Sequence, residues 1–196
     1  ISSPFLPWNL GFALDEIIDE FGKSLFEEID YKKEANNAEF FASLFGDNNS
    51  VTVPKVEKEY STRKVLTTSW VEGTKLKNRE ELIENNVDPS GIIRTGVVSG
   101  IQQLLEFGYF HADPHPGNMF ALKGNTGELG NLAYVDFGMM DSISDEDRLT
   151  LTGAIVHLIN NDYHLVAQDF QKLGFLNTKQ DLTPIIPILK EVLGNA

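Results

Sequence analysis

Apolar positions along the chain recur at helical spacing in six stretches, separated by shorter apolar or β-branched runs. This spacing predicts six helices. They cover residues 14–26, 31–45, 92–107, 144–160, 163–173 and 184–193. Gly108 follows the third helix, where glycine often ends a helix in the left-handed conformation, and Ser144 is a suitable cap for the fourth. Residues 1–13 show little periodicity and are interpreted as a connecting arm.

Short strands are predicted where β-branched and apolar residues run together between turn signals. They cover residues 51–53, 55–60, 63–70, 119–122 and 132–135. The last two flank a turn at residues 123–127 and predict a hairpin. We expect this hairpin to bring Asn118, which precedes its first strand, to the same side as Asp136, which follows its second strand.

Composition and charge narrow the class of protein. A chain of 196 residues with 41% apolar residues fits about one domain with a buried core. Its 29 acidic and 16 basic residues give a net charge of -13, which argues against nucleic-acid binding and against purely electrostatic docking on anionic lipid. The chain has no cysteine, so disulfides and thiolate zinc sites are excluded. Charged and amide residues interrupt residues 92–107, so no transmembrane helix is predicted.

The most informative stretch, residues 109–120, reads Tyr-Phe-His-Ala-Asp-Pro-His-Pro-Gly-Asn-Met-Phe. Asn118 lies five positions after Asp113, and Asp136 begins an Asp-Phe-Gly sequence after the next predicted strand. Protein kinases use an Asp and an Asn at this spacing to position the acceptor and hold a metal ion, and their Asp-Phe-Gly provides a magnesium ligand. Phosphoryl transfer requires hard oxygen ligands that converge on Mg²⁺. The pattern therefore predicts Asn118 and Asp136 as metal ligands.

Three residues of this loop, Asp113, His111 and His115, are candidate catalytic residues. Asp113 could act as a base, orient a water molecule or hold the loop through backbone hydrogen bonds. His111 is expected to brace the loop against the Asp136 region, and His115 could contact phosphate or water, or pack within the loop. As an alternative, the three residues could form a transition-metal cluster, because imidazole suits zinc or iron.

The loop lacks the kinase Arg and reads His-x-Asp-x-His-Pro-Gly-Asn, and Glu-x-x-x-x-x-Glu-Ala-x-Asn occurs upstream of it. With these motifs the chain resembles the UbiB/ADCK family of atypical kinase-like proteins from about residue 14 to the C-terminus. The pattern of residues 157–176 is more similar to plastid and cyanobacterial members than to mitochondrial ones. The resemblance implies an α+β, protein-kinase-like fold. Residues 1–70 would form a partial N-lobe, with helix C and short strands, and residues 71–196 a mostly helical C-lobe.

The resemblance also implies contacts to a nucleotide cofactor outside the loop. It assigns them to Glu28, Asp30, Glu34, Ser69, Trp70 and Val71. Glu34 would be the helix-C Glu that pairs with a strand Lys, and the backbone of residues 69–71 would be the hinge that hydrogen-bonds adenine. From the pattern alone, the acidic residues could equally be solvated charges on an acidic helix.

The implied cofactors are ATP or ADP with Mg²⁺, and the implied activity is that of an ATPase rather than an ordinary protein kinase. The implied role is in isoprenoid-quinone or prenyl-lipid metabolism, with a prenyl-quinone lipid or its biosynthetic proteins as partners. Peripheral contact with a plastid or cyanobacterial membrane is expected, with the matrix side of the mitochondrial inner membrane as the alternative.

Some parts that a complete kinase-like protein would need are missing from the sequence. No glycine-rich nucleotide loop and no strand Lys precede Glu34, and residue 1 is Ile, so we expect the chain to be a piece of a longer protein. Two alternatives to an ATPase stay open. One is a catalytically inactive scaffold that binds nucleotide or lipid, and the other is a small-molecule phosphotransferase with the same Asp-x-x-x-x-Asn loop.

Overall fold

A computed structural model describes residues 30–194, apart from residues 47, 49, 78, 127, 128, 178 and 180. The predicted arm of residues 1–13, the predicted helix of residues 14–26 and the candidate Glu28 lie outside the described residues.

The described residues form a mixed α+β structure, which confirms the predicted class. The α-helices are α1 (Tyr31–Phe45), α2 (Arg79–Glu84), α3 (Pro89–Ile101), α4 (Asp145–Ile159), α5 (Tyr163–Lys172) and α6 (Ile185–Leu193). The strands are β1 (Val51–Thr52), β2 (Thr74–Lys75), β3 (Tyr109–His111), β4 (Met119–Thr126), β5 (Leu129–Tyr134) and β6 (Met140–Ser142). A π-helical segment, Gln102–Phe107, continues α3, and short 3₁₀ turns occupy Lys58–Tyr60 and Pro116–Asn118. None of the described helices is both long enough and apolar enough to cross a membrane.

The main sheet has the strand order β1-β5-β4-β2, and β3 pairs with β6 in a separate two-stranded sheet. β1 runs parallel to β5, and the other pairs are antiparallel. The hairpin of β4 and β5 confirms the predicted pairing. Both strands are longer than predicted, because residues expected in the turn continue the ladder up to the pairing of Thr126 with Leu129.

The predicted helix ends are confirmed where the sequence carries a capping residue. The Ser144 hydroxyl accepts the main-chain N–H of Asp147 at the start of α4. Gly108 has φ 65°, in the left-handed region, and ends the π-helical segment. The Asp88 carboxylate accepts two N–H groups at the start of α3, so this helix begins three residues earlier than predicted, at Pro89. Such caps stabilise a helix because its first N–H groups have no partner within the helix.

Two predicted strands, residues 55–60 and 63–70, are wrong. Lys58–Tyr60 forms a 3₁₀ turn, and the rest of the segment keeps only isolated bridges. These join Val56 to Thr68 and Thr62 to Val65. The Ser61 hydroxyl accepts the N–H of Thr67 at 3.0 Å. Serine and threonine hydroxyls offer the backbone local partners of this kind, which compete with a regular strand ladder.

The core forms where α1 packs against the hairpin and the segment after it. The Phe41 side chain is fully buried (0% exposed), and its ring lies 5.3 Å from the rings of both Tyr134 and Phe137. Burial of one such ring contributes about 1.5–3 kcal/mol to stability. The core therefore packs α1 directly against the segment after β5, which contains Asp136.

Two glycines allow α3 to approach β5 closely. A Cβ atom on Gly130 would lie 2.9 Å from the main-chain nitrogen of Ile92, and one on Gly91 would lie 3.0 Å from the nitrogen of Gly130. The Thr95 hydroxyl donates to the Gly130 carbonyl at 2.7 Å across the same contact. This close packing fixes the hairpin against the helix that leads into the catalytic-loop sequence.

Candidate functional site

The loop after β3, the hairpin and α1 enclose a cavity of about 450 Å³. It brings together five residues that were predicted from the sequence. They are Glu34, His111, Asp113, Asn118 and Asp136. No lysine or arginine is among the described residues that line this cavity, and its walls combine acidic and polar side chains with Tyr31, Val135 and Met139.

The hairpin places the two predicted metal ligands next to each other. Asn118 ends the 3₁₀ turn, and its carbonyl accepts the N–H of Val135 at 3.1 Å. The β4–β5 register then pairs Met119 with Tyr134. Asp136, just after β5, therefore lies beside Asn118, just before β4. The expected juxtaposition of Asn118 and Asp136 is thus a direct consequence of antiparallel pairing.

The His111 imidazole links the candidate catalytic Asp to the metal-ligand segment. Its Nδ1 accepts the main-chain N–H of Asp113 at 3.1 Å, so the neutral ring carries its proton on Nε2. Nε2 lies 2.8 Å from the carbonyl oxygen of Asp136 and donates to it. Burial lowers the pKa of His111 and outweighs the carbonyl hydrogen bond and the nearby carboxylates, which favour the charged form. The ring is therefore held neutral in one tautomer.

His115 faces Asp113 through a similarly fixed tautomer. Its Nδ1 accepts the N–H of Gly117 at 2.9 Å, which leaves the proton on Nε2. Nε2 lies 3.5 Å from a carboxylate oxygen of Asp113. Gly117 is required for this position, because a Cβ atom there would lie 2.5 Å from Cε1 of the imidazole.

Helix α1 contacts the Asp-Phe-Gly segment through two side chains. Oε1 of Glu34 accepts the N–H of Phe137 at 3.3 Å, and Nδ2 of Asn37 donates to the carbonyl of the same residue at 2.9 Å. Burial raises the pKa of Glu34; the Phe137 hydrogen bond opposes this effect and the charge of Asp136 adds to it. One carboxylate oxygen of Asp136 accepts the N–H of Gly138 at 3.0 Å.

The oxygen donors fit a magnesium ion that is also bound by phosphates. Mg²⁺ is usually held by one or two protein carboxylates together with substrate phosphates and water. The Asn118 amide and the Asp136 carboxylate supply a donor set of this kind. Within the described part of the chain, no group of three or more His, Asp or Glu residues forms a preassembled metal site.

The predicted hinge residues lie at a second cavity, of about 520 Å³, which follows β4 away from Asn118. Trp70 and Val71 line this cavity together with Phe120, and the Trp70 side chain is 89% exposed. The described backbone hydrogen bonds involve neither Trp70 nor Val71. Ser69 differs, because its N–H and its hydroxyl both bond to the backbone of Lys55.

Asp30 has a structural role in the described chain. Its carboxylate accepts the N–H of Lys32 as the cap of α1 and lies 3.2 Å from Nε of Arg63. It is not among the residues that line either cavity.

Several residues that line or brace these cavities were not selected from the sequence as site residues. Among them, Tyr31 lines the first cavity and Phe120 the second, and the side chains of Asn37 and Gln103 hydrogen-bond to the backbone of Phe137 and His111. The buried Gln103 side chain accepts the N–H of His111 at 2.9 Å. Asn37 is the last residue of the Glu-x-x-x-x-x-Glu-Ala-x-Asn motif, and it lies three residues after Glu34 and so on the same helix face. Phe120 ends the informative stretch of residues 109–120, whereas Tyr31 and Gln103 carry no local signal because long-range packing brings them to the site.

Residues 5–170 of the chain match the ABC1 atypical kinase-like domain. The chain belongs to the ABC1 family. This membership confirms the resemblance to the UbiB/ADCK proteins and identifies the chain as a kinase-like ABC1 domain.

Similar ABC1 proteins occur in a cyanobacterium and in a plant. The domain is 51% identical over 192 residues to the uncharacterized protein slr1919 of Synechocystis sp., covering 98% of this chain and 33% of that protein. It is 42% identical over 180 residues to Protein ACTIVITY OF BC1 COMPLEX KINASE 3, chloroplastic, of Arabidopsis thaliana, covering 92% of this chain and 25% of that protein. Protein ACTIVITY OF BC1 COMPLEX KINASE 1, chloroplastic, of the same plant is 40% identical over 188 residues, covering 96% of this chain and 27% of that protein.

The fold of the ABC1 domain also occurs in a solved structure. The complex of Rv3197 with erythromycin, from Mycobacterium tuberculosis, superposes with a TM-score of 0.63 at 22% identity, covering 95% of this chain and 46% of that one. This likeness concerns the fold alone, and it agrees with the predicted kinase-like architecture. The chain spans a quarter to a third of the length of the curated relatives described above.

Proposed function

We propose that this ABC1 domain binds a magnesium–adenine nucleotide and acts, within the whole protein, as an atypical kinase-like ATPase. The observation that carries the proposal is the convergence of Asn118, Asp136 and Asp113 on one acidic cavity. Asn118 and Asp136 would hold the metal ion. No lysine or arginine is among the described residues that line this cavity, so the described side chains do not neutralise phosphate charge. Mg²⁺ bound there would supply the positive charge.

The adenine base would occupy the second cavity. The exposed backbone of Trp70 and Val71 has no described hydrogen-bond partner and is available to the edge of a purine. Phe120 offers an aromatic face in the same cavity, two residues after Asn118 on β4. A strand rises about 3.4 Å per residue, so Phe120 lies about 7 Å along the chain from Asn118. The base would bind beside Phe120 and the phosphates beside Asn118. Residues 1–70 would then form the N-lobe side of the site and residues 71–196 the C-lobe side.

Asp113 would orient the attacking group. Its main-chain N–H is held by His111, and its carboxylate faces the Nε2–H of His115 at 3.5 Å. A carboxylate oxygen held in this position can accept the hydrogen of a water molecule or an alcohol. His111 and His115 thus support Asp113 from two sides. Glu34 would align a Lys of the whole protein.

The biological setting is proposed from the relatives. Of the three relatives described above, two carry chloroplastic names and one comes from a cyanobacterium. We place the whole protein in a plastid-type compartment, in peripheral contact with a membrane, and propose that it supports isoprenoid-quinone or prenyl-lipid metabolism. The net charge of -13 on these 196 residues indicates that any membrane contact made by this domain itself would depend on apolar rather than electrostatic attraction.

A second candidate is a nucleotide-binding scaffold of the same fold without turnover. It is favoured by the lack of a lysine or arginine among the described residues that line the metal cavity. Asp113→Asn separates the two candidates in the whole protein. If the variant loses ATP hydrolysis but keeps nucleotide binding, the ATPase is supported. If the wild-type protein already shows no hydrolysis, the scaffold is supported.

The test of nucleotide binding is a thermal-shift titration of the 196-residue chain with ADP at several Mg²⁺ concentrations. A ligand at a hundredfold excess over its Kd adds about 2.7 kcal/mol to stability. We expect a magnesium-dependent rise in Tm that Asp136→Asn abolishes and Asp141→Asn, an exposed carboxylate five residues later, preserves. An unchanged response in Asp136→Asn would refute the metal assignment.

A further inference from the structure

Two successive peptide planes around Phe137 are each held at both ends by specific groups. In the first plane the Asp136 carbonyl accepts from His111 at 2.8 Å, and the Phe137 N–H donates to Glu34 at 3.3 Å. In the second plane the Phe137 carbonyl accepts from Asn37 at 2.9 Å, and the Gly138 N–H donates to the Asp136 carboxylate at 3.0 Å. The Asp136 carboxylate is therefore connected to the Asn37 side chain through the second peptide plane. We call this connection, from Asn37 through the Phe137 carbonyl and the Gly138 N–H to Asp136, the relay.

The relay is stiff because a peptide unit is planar. The Phe137 carbonyl and the Gly138 N–H belong to one trans peptide unit and point in opposite directions. When Asn37 holds the carbonyl, it also sets the direction of the N–H that binds Oδ1 of Asp136. A rotation of this plane would break both hydrogen bonds, and it is hindered because the Phe137 side chain is 2% exposed and packs against Phe41.

Asn37 is suited to this task by its place on α1. It lies three residues after Glu34, so the two side chains project from the same face of the helix. Glu34 acts on the first peptide plane and Asn37 on the second. Phe41, one turn further along α1, packs on the ring of the residue that both side chains hold.

We propose that Asn37 is a positioning residue for the metal site, which orients the Asp136 carboxylate through the peptide between Phe137 and Gly138. This inference rests on the proposed role of Asp136 as a magnesium ligand. Removal of the groups that orient a metal ligand typically weakens metal binding 10- to 100-fold. Loss of the Asn37 amide should therefore raise the Mg²⁺ concentration that ADP binding requires, beyond any effect on folding.

The experiment measures the Mg²⁺ concentration for half of the ADP-induced Tm shift in the 196-residue chain. We expect Asn37→Ala and Asn37→Asp to raise this concentration about tenfold or more. Asn37→Asp keeps the size of the side chain, so it leaves no cavity of the kind that could destabilise the alanine variant. It removes the donor and adds a negative charge, which by itself would favour Mg²⁺, so a higher Mg²⁺ requirement in this variant reports the lost hydrogen bond. Asn36→Ala is the matched control, because Asn36 is the neighbouring, exposed asparagine of the same helix, and it should leave the requirement unchanged.

The outcomes separate this inference from the proposed function. If Asp136→Asn abolishes the magnesium response and both Asn37 variants keep the wild-type requirement, the role of Asn37 is refuted and the metal site stands. If Asp136→Asn itself leaves the response intact, the metal site and the inference both fail. Hydrogen exchange of the Gly138 amide gives a readout without ligand. It should accelerate about tenfold in Asn37→Asp and remain unchanged in Asn36→Ala, and an unchanged rate in Asn37→Asp would refute the relay.

Discussion

The Nε2 atom of His111 lies 2.8 Å from the main-chain oxygen of Asp136, and its Nδ1 accepts the N–H of Asp113. One neutral imidazole thus joins the loop that carries the candidate catalytic Asp to the segment that carries the candidate metal ligand. The tautomer of this ring, together with the main-chain hydrogen bonds between Val135 and Asn118 and between Ala112 and Met139, holds the two halves of the site in a common geometry. The ring is buried on the cavity floor and packs near Tyr134 and Phe137.

We expect His111→Ala to destabilise the protein by about 2 kcal/mol or more. The substitution removes a buried ring and two part-buried hydrogen bonds, to the Asp136 carbonyl and from the Asp113 N–H, and each such hydrogen bond contributes about 0.5–1.5 kcal/mol. Urea unfolding measures the effect. The control is His164→Ala, an exposed histidine on α5, which should change stability by less than about 0.5 kcal/mol. Equal stability of the two variants would contradict the bridging role.

Gly117→Ala should displace the His115 ring while leaving the fold intact. The added Cβ would lie 2.5 Å from Cε1 of that ring, so the imidazole has to leave its position beside Asp113. If the whole protein hydrolyses ATP as proposed, its turnover should fall by about 10²-fold or more, the usual scale for a mispositioned acid–base group. Steady-state hydrolysis with native-like circular dichroism is the measurement.

The control for Gly117→Ala is Gly100→Ala. Gly100 lies within α3, and a Cβ atom there meets nothing within 4 Å. Alanine is the better helix former by about 1 kcal/mol, so this variant should be as stable as the wild type or more stable, with unchanged turnover. Wild-type turnover in Gly117→Ala would show that the position of His115 is immaterial.

Asp169→Asn should destabilise the contact between α4 and α5. The Asp169 side chain is 4% exposed, and its two oxygens lie 2.7 Å from Nδ1 of His157 and 2.7 Å from Nζ of Lys172. An asparagine keeps the shape but loses the charge-assisted hydrogen bonds, at a cost of about 1–3 kcal/mol. Asp145→Asn, which breaks an exposed pair with Arg148, should cost less than about 1 kcal/mol.

The same carboxylate predicts how stability depends on pH. Burial acts to raise the pKa of Asp169, but the hydrogen bonds and charges of Lys172 and His157 outweigh it, so the pKa is lowered. The folded value lies below the unfolded value of about 3.9, so the contribution is complete above that pH and is lost as pH falls through the folded value. Urea unfolding between neutral pH and about pH 3 should show a loss of stability that is smaller in Asp169→Asn. Parallel pH profiles would contradict this prediction.

Phe41→Ala should cost about 3–5 kcal/mol, the usual range for a buried phenylalanine. It removes a fully buried ring that contacts both Tyr134 and Phe137. The neighbouring Phe40 is 50% exposed and meets only the edge of Tyr109 among the described rings, so Phe40→Ala should cost much less. Urea unfolding compares the two, and similar losses would mean that α1 does not pack as described.

Local pattern was enough to predict five of the six described α-helices, and it missed the short α2 (Arg79–Glu84). The spacing of apolar residues predicted α1 with its observed bounds, and the caps at Ser144 and Gly108 predicted where elements begin and end. The antiparallel hairpin follows from two apolar runs around a turn, and it is sufficient to bring Asn118 and Asp136 together. These features depend on interactions between residues close in sequence, which a sequence displays directly.

Other features were decided only by tertiary structure. The strands β2, β3 and β6 have two or three residues each, too few for a period to be visible, and they exist because distant partners complete their hydrogen bonds. The segment before Trp70 has strand-like composition, but its backbone is paired partly through isolated bridges and partly through the hydroxyls of Ser61 and Ser69. The amide of Asn37 meets a carbonyl 100 residues away. Its role depends on how α1 packs on Phe137, because long-range packing, unlike helical periodicity, leaves no repeat in the sequence.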